Sequence, residues 1–395
     1  MAEELPVGEG AAAGEARLGS GTLWTLLGAN ALTAVGVGFL LPVLPLFIAS
    51  RGANSLLVGL VFGAEVAGRA VGQYPAGRLS DRHGRRPVLV LGLLVYALLF
   101  PLYLLPVPPT ALIAVAFVQA LAGGAVPVAA TAMIADLTPS EERGRAYGML
   151  RASDMAGLLL GPALGGLVAG YRLDAVFGAG AVVSLLGVLL TLRLPSARPR
   201  LEADSAEPPL SSRRLLRLLL PVAVLGAPIY WVFGTYDSVW SLYITSRGAS
   251  PLLVGLSFTT YALPVLLVGG LAGGLADRLG PVRAATAALL TYGLLAATYP
   301  FISNVPLLIL IGFLEGTLTA AGNPALMAEV SRRAPAGAQG RTQGAYSLMM
   351  LTAEVAGAVA GGALYVLGPA YAFLGGTAVC LTGAACGLLL LRREA

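Results

Sequence analysis

Residues 50–60 read SRGANSLLVGL, and residues 246–256 read SRGASPLLVGL. Arg51 and Arg247 are separated by 247 − 51 = 196 residues, and two further stretches match at the same offset. Gly77-x-Leu79-x-Asp81-Arg82-x-Gly84 returns as Gly273-x-Leu275-x-Asp277-Arg278-x-Gly280. Gly161-x-x-x-Gly165-Gly166 returns as Gly357-x-x-x-Gly361-Gly362. Three matches in one register mark an internal duplication of the chain.

Each copy lies in apolar surroundings. Of 395 residues, 57% are hydrophobic and 11% charged, against about 25% charged in a soluble domain, and the mean hydropathy is +0.81. There is too little polar surface to coat a water-soluble body of this size, so the solvent is lipid. A helix needs about 20 apolar residues to cross a bilayer. Such runs fall near 22–49, 54–77, 87–106, 110–135, 146–170 and 174–194, then near 215–245, 251–276, 282–302, 305–329, 343–367 and 370–391. The fold expected is an all-α membrane protein of twelve transmembrane helices in two six-helix bundles. Six is even, so both copies enter the membrane from the same side. That is the two-halves design of a rocking transporter, with a site near mid-membrane between the halves. The expected domains are a disordered tail over 1–21, bundles over 22–194 and 214–392, and a Pro/Ser/Glu/Arg-rich linker over 195–213.

Every one of the 25 basic residues is Arg. Without Lys there is no Walker-type phosphate loop, which argues against an ATP-driven pump. The arginines sit in short loops: with the amino terminus inside, cytoplasmic segments hold 20 of them and outer loops three, Arg51, Arg172 and Arg247. This places both termini in the cytoplasm of a multi-pass inner (plasma) membrane protein, and it reads as topology, not as a nucleic-acid groove. The first residues lack the basic region of a signal peptide. Cys380, Cys386 and His83 supply no metal or haem spacing and no nucleophile–base pair, so neither a metal nor a cofactor is expected.

The run Gly77–Arg78–Leu79–Ser80–Asp81–Arg82–His83–Gly84–Arg85–Arg86 resembles the G-x-x-x-D-R-x-G-R-R signature of the major facilitator superfamily, with a weaker copy through Asp277 and Arg278. Gly157-x-x-x-Gly161-Pro162-x-x-Gly165-Gly166 resembles a span-five motif of that family's drug–proton antiporters. The resemblance spans about residues 20–392 and implies the major facilitator fold, with spans one, four, seven and ten lining the cavity. It also implies a cytoplasmic latch, built here from Gly77, Asp81, Arg82, Gly84, Arg85, Arg86, Asp277 and Arg278, in which Arg85 reaches Asp136. Asp81 is suited to cap the next helix and to pair with an Arg. One departure stands out: those antiporters carry an Arg in span four where this chain has Gln119, so coupling through that Arg is not carried over.

Charges at lipid depth are costly and therefore informative. The acids there are Glu65, Asp154, Asp237, Glu315 and Glu354, and Glu315 and Asp237 fall on cavity-lining spans. Such carboxylates suit proton exchange or attraction of a cation. Glu65 and Arg69 share a helix face, as do Arg151 and Asp154, and either pair can be self-neutralising. Glu354 is positioned to join Glu65 and Arg69 if spans two and eleven are neighbours. Asn30, Gln119, Tyr230, Trp231, Tyr236 and Asn323 complete the expected cavity; aromatics beside an acid suit a lipophilic cation. Trp240 and Tyr243 fit an outer aromatic belt. The function expected is secondary active transport by a monomer: proton-coupled efflux of small lipophilic or cationic compounds by alternating access. Sugar or metabolite uptake, and lipid flipping on the same fold, are the alternatives. An intramembrane enzyme lacks its nucleophile and a sensor its output domain.

Overall fold

The computed structural model describes residues 20–196, 212–335 and 338–394. Most of the expected tail and linker lies outside the described residues. Without water in the hydrocarbon layer every backbone amide must bond within its own segment, and helices satisfy this requirement. The first half comprises α1 (Ser20–Ser50), α2 (Ser55–His83), α3 (Arg85–Leu99), α4 (Ala111–Gly123), α5 (Ala125–Leu137), α6 (Ser140–Tyr171) and α7 (Ala175–Thr191). The second comprises α8 (Ser212–Ser246), α9 (Pro251–Leu279), α10 (Pro281–Ala296), α11 (Val305–Arg333), α12 (Gln339–Leu367) and α13 (Pro369–Glu394). Helices α4 and α5, interrupted at Gly124, together form the fourth span. Ten of the resulting segments are long and apolar enough to cross a membrane, and the shorter apolar stretches Ala175–Thr191 and Pro251–Leu267 supply the other two.

Several helices outrun their apolar cores. The stretch through Asp81, expected as a loop, is the last turns of α2, and α6 starts at Ser140 and not near 146. Hydropathy marks the part of a helix that lies in lipid; the backbone keeps winding past it towards the Arg-rich face.

The duplication is reproduced in the conformation. Gly52 and Gly248 turn with φ of +80° and +92°, and Gly84 and Gly280 with +93° and +83°. Both pairs are 196 apart, and only glycine enters this region without strain. Asn54 caps α2 by accepting from the Leu57 amide at 3.0 Å, and its counterpart Ser250 caps α9 from the Leu253 amide at 3.4 Å. Phe47 packs on Phe177 at 4.5 Å between ring centres, and Tyr243 on Phe373 at 4.7 Å.

The halves meet chiefly through two equivalent pairs of helices, α2 with α12 and α6 with α9. A Cβ on Gly59 would strike the Ala358 carbonyl and lie 3.3 Å from the Gly362 Cα. A Cβ on Gly255 would strike the Pro162 carbonyl and lie 3.0 Å from the Gly166 Cα. Each residue of the first contact is 196 from its counterpart in the second. Small residues thus let backbones touch, as membrane helix packing favours, on the Arg-poor side of the molecule.

Candidate functional site

Because the two halves share a backbone plan, what differs between equivalent positions is informative. In the first half, Gln119 is buried and accepts a hydrogen bond from Tyr103 Oη at 2.9 Å, while its amide donates to the Tyr96 carbonyl at 3.1 Å. Expected in the cavity, Gln119 instead points between α3 and α4, because that face of the span turns into its own bundle. Its counterpart at offset 196 is Glu315, and the counterpart of Tyr103 is Tyr299. Tyr299 Oη donates to Glu315 Oε2 at 2.8 Å, and Tyr236 Oη donates to Oε1 at 3.1 Å. The duplicated tyrosine thus holds a neutral amide in one half and a fully buried acid in the other.

Around Glu315 the second half opens a cavity. Phe233, Tyr236, Asp237 and Trp240 of α8 line it, with Ser257, Phe258 and Tyr261 of α9, Tyr299, and Ile309 and Gly312 of α11. Its volume is about 70 Å³, room for several waters or one small head group. Equivalent positions in the first half carry Leu40 for Tyr236 and Leu44 for Trp240, both in its packed core. Trp240 is fixed by its indole N–H, which donates to Ser257 Oγ at 2.8 Å. Trp240 and Tyr243 are both buried and belong to this core, not to an outer belt. The reason is that α8 is packed on several sides, so its aromatics turn towards neighbouring helices and not towards the membrane surface. Tyr261 and Tyr299 were not singled out from sequence. The repeat carried a signal for Tyr261, which stands where the first half has Glu65.

A second group of charges sits where α2, α8 and α12 converge. Arg69 Nη2 donates to Glu354 Oε1 at 3.2 Å, across the boundary between the halves. Arg69 therefore pairs with Glu354 and not with Glu65, its helix neighbour, because α12 brings a carboxylate closer. Asp237, on the wall of the cavity, and Glu65 lie close enough to act on Arg69 electrostatically. In the first half, Asn30 donates to Asp154 Oδ1 at 2.6 Å and to Ser153 Oγ at 2.9 Å, tying α1 to α6. Arg151 approaches the same carboxylate at 3.7 Å. Tyr230, Trp231 and Asn323 are half-buried and do not line the Glu315 cavity.

At the Arg-rich end, Arg85 Nε donates to Asp136 Oδ2 at 2.7 Å, with both side chains under a tenth exposed, and Arg85 also bonds Asp81 and Ser80. Asp81 does not cap α3, whose N-cap is Gly84; the side chain is spent on Arg85 from the last turn of α2. Arg86 donates to the Leu192 carbonyl, while Arg82 and Arg278 are exposed. The Asp277 side chain lies outside the described residues. In α6, Gly157, Gly161 and Gly165 each face α1 backbone, at Ala31–Val35, Gly38 and Phe39 in turn, while Pro162 and Gly166 face α9. The Pro162 ring also packs on Gly38 of α1 while its carbonyl meets Gly255 of α9, so the motif serves two packing faces at once.

Comparison with known proteins agrees with this construction. The model of the Major Facilitator Superfamily matches residues 26–245, the first half together with most of α8, and again 222–395 in the second half. The chain belongs to the major facilitator superfamily. It is 26% identical over 402 residues to multidrug resistance protein 2 of Bacillus subtilis, covering 94% of this chain and 96% of the relative. It is 30% identical over 361 residues to the class C tetracycline resistance protein of Escherichia coli, covering 87% and 89%. In structure it resembles the nucleoside transporter NupG, with a TM-score of 0.76 at 13% identity over 94% of this chain and 99% of that one. A D-xylose-proton symporter superposes with a TM-score of 0.71 at 17% identity, covering 93% and 96%. The protein is a secondary transporter of the membrane that moves small molecules, not an enzyme.

Proposed function

We propose that this transporter exports small lipophilic or cationic compounds in exchange for protons. The observation that carries the reading is Glu315: a membrane-depth carboxylate, fully buried, held by two tyrosine hydroxyls and faced by an aromatic wall. A carboxylate in such a place is tolerated when a proton or a cation neutralises it. Aromatic faces add stacking and cation–π attraction for an organic cation. Asp237, on the same wall, offers a second negative group, and the resistance proteins among the relatives favour efflux.

The Arg-rich face is read as cytoplasmic, with both termini on it. In that orientation the two glycine contacts seal the outer side. The Arg85–Asp136–Asp81 group serves as a latch on the inner side, breaking and reforming as the halves rock. One polypeptide supplies both halves, so the working unit is read as a monomer. The test is uptake of a cationic dye into inverted vesicles under an imposed pH gradient. Wild type accumulates dye and Glu315→Gln does not; a wild type that moves no dye with or without the gradient refutes multidrug export and directs the search to sugars and lipids.

A further inference from the structure

The two main contacts between the halves are equivalent in backbone but not in charge. At mid-depth the α2–α12 contact carries Glu65, Arg69 and Glu354, with Asp237 of α8 beside them. The positions 196 residues away, in the α6–α9 contact, are Tyr261, Val265 and Leu158, and Leu41 stands for Asp237. The uncharged interface packs just as closely: Gly255 meets Pro162 and Gly166 as Gly59 meets Ala358 and Gly362, and Thr259 Oγ1 donates to the Leu159 carbonyl at 2.7 Å. Close packing therefore needs no charge here. An ion pair at lipid depth costs desolvation that packing does not repay. The Arg69–Glu354 pair must stand there for another purpose.

We propose that Glu354 is a proton-binding coupling residue and that its pair with Arg69 is a clasp between the halves, released by protonation. The proposal rests on the proton-coupled reading and adds to it a site apart from Glu315. In the clasped state Arg69 bridges α2 to α12. The Glu354 carboxylate then takes a proton from water and loses its charge. Arg69 keeps its own proton and turns to Glu65, one turn back on its own helix, so no guanidinium is stranded. The bond that breaks is the one between the halves; the one that forms lies within α2. Loss of the proton reverses both steps.

The groups that face Glu354 fit this exchange. Glu65 and Arg69 come from α2, and Asp237 and Tyr230 from α8. Among the described residues Glu354 makes no hydrogen bond or ion pair to a side chain of α11 or α13. Gly234 and Gly357 press α8 and α12 backbone to backbone beside the pair. Asp237 follows Gly234 by one turn and lines the Glu315 cavity, so the clasp and the cavity share a wall.

The experiment measures a distance across the clasped interface in the full chain in lipid nanodiscs. Spin labels go on Leu60→Cys and Val366→Cys, both exposed, in a background with Cys380 and Cys386 replaced by Ala. Between about pH 8 and about pH 5 the wild type should shift from a short to a longer population, with the ratio changing by about tenfold or more for a single titrating group. Glu354→Gln should hold the long population at every pH, Arg69→Gln should do likewise, and Glu354→Asp should restore the transition. A wild-type transition retained in Glu354→Gln overturns the proposal. So does a transition lost in Glu315→Gln but kept in Glu354→Gln, and that result leaves proton coupling intact. No transition in the wild type overturns both. A Glu354→Gln chain that fails to fold leaves the decision to Arg69→Gln, whose retention of the transition overturns the clasp equally.

Discussion

Replacing Gly255 with alanine adds one methyl group where α9 meets α6. In the present arrangement that carbon would overlap the Pro162 carbonyl oxygen and lie 3.0 Å from the Gly166 Cα, and both obstacles are backbone. Neither can rotate away, so the helices must part by a fraction of an ångström to about 1 Å before ordinary contact is restored, an overpacking cost of about 1–3 kcal/mol. The state with this face closed bears that cost; a state with the face open does not. The access equilibrium should therefore shift towards opening on the Arg-poor side by about 5- to 150-fold. The assay is the rate at which a membrane-impermeant thiol reagent, added from that side, modifies Ser257→Cys on the cavity wall, with the native cysteines removed. Gly59→Ala should act in the same direction, because it meets the equivalent atoms, and Gly178→Ala should not, having no atom within 4 Å of its added carbon. A rate in Gly255→Ala equal to its parent's refutes the claim that this contact seals the face.

Four further outcomes are expected. Glu315→Gln gives both halves a neutral amide at the equivalent position and should abolish gradient-driven dye transport in vesicles while leaving the chain folded, as Gln119 shows an amide fits there. Trp240→Leu should weaken binding of an aromatic cation by about 2- to 30-fold, the worth of about 0.5–2 kcal/mol of cation–π and stacking contact, read by fluorescence titration. Asp136→Asn leaves the Arg85 guanidinium buried with a lesser partner and should lower stability by about 3–5 kcal/mol, seen as a lower Tm in detergent. Gly84→Ala and Gly280→Ala force a side chain into positive φ and should each cost about 1–2 kcal/mol, measured the same way.

Much of the fold was legible because duplication writes each local rule twice. A cap residue at 54 and 250, a positive-φ glycine at 52 and 248, and a small residue at 59 and 255 fall in one register, and each has the same geometry in both copies. The charged candidates were legible as costly residues, but their partners were not. That Arg69 chooses Glu354 over Glu65 depends on how near α12 comes to α2, a property of the assembled halves. Gln119 was misplaced because a span apolar on all sides gives no phase to say which face looks inward. The same lack of phase hid the turn of Trp240 and Tyr243 towards the core. Tyr299 escaped notice because it sits in the short turn after α10 and reaches Glu315 only through the folding-back of that segment.

The two glycine contacts have a consequence for what each half could do without the other. Where Gly59 of the first meets Ala358 and Gly362 of the second, Gly255 of the second meets Pro162 and Gly166 of the first. Position i touches j, and j touches i, which is the pattern of an isologous interface about a two-fold axis. Either half therefore contains both members of its own contact, and the molecule is a homodimer in design whose two subunits have been joined in one chain. In a true dimer any acid would appear on both sides. Joining the copies is what allows Glu315 in one half to have Gln119 as its counterpart in the other, and a single Arg69 to find one Glu354, so that the two sides of a symmetric shell can carry different charges.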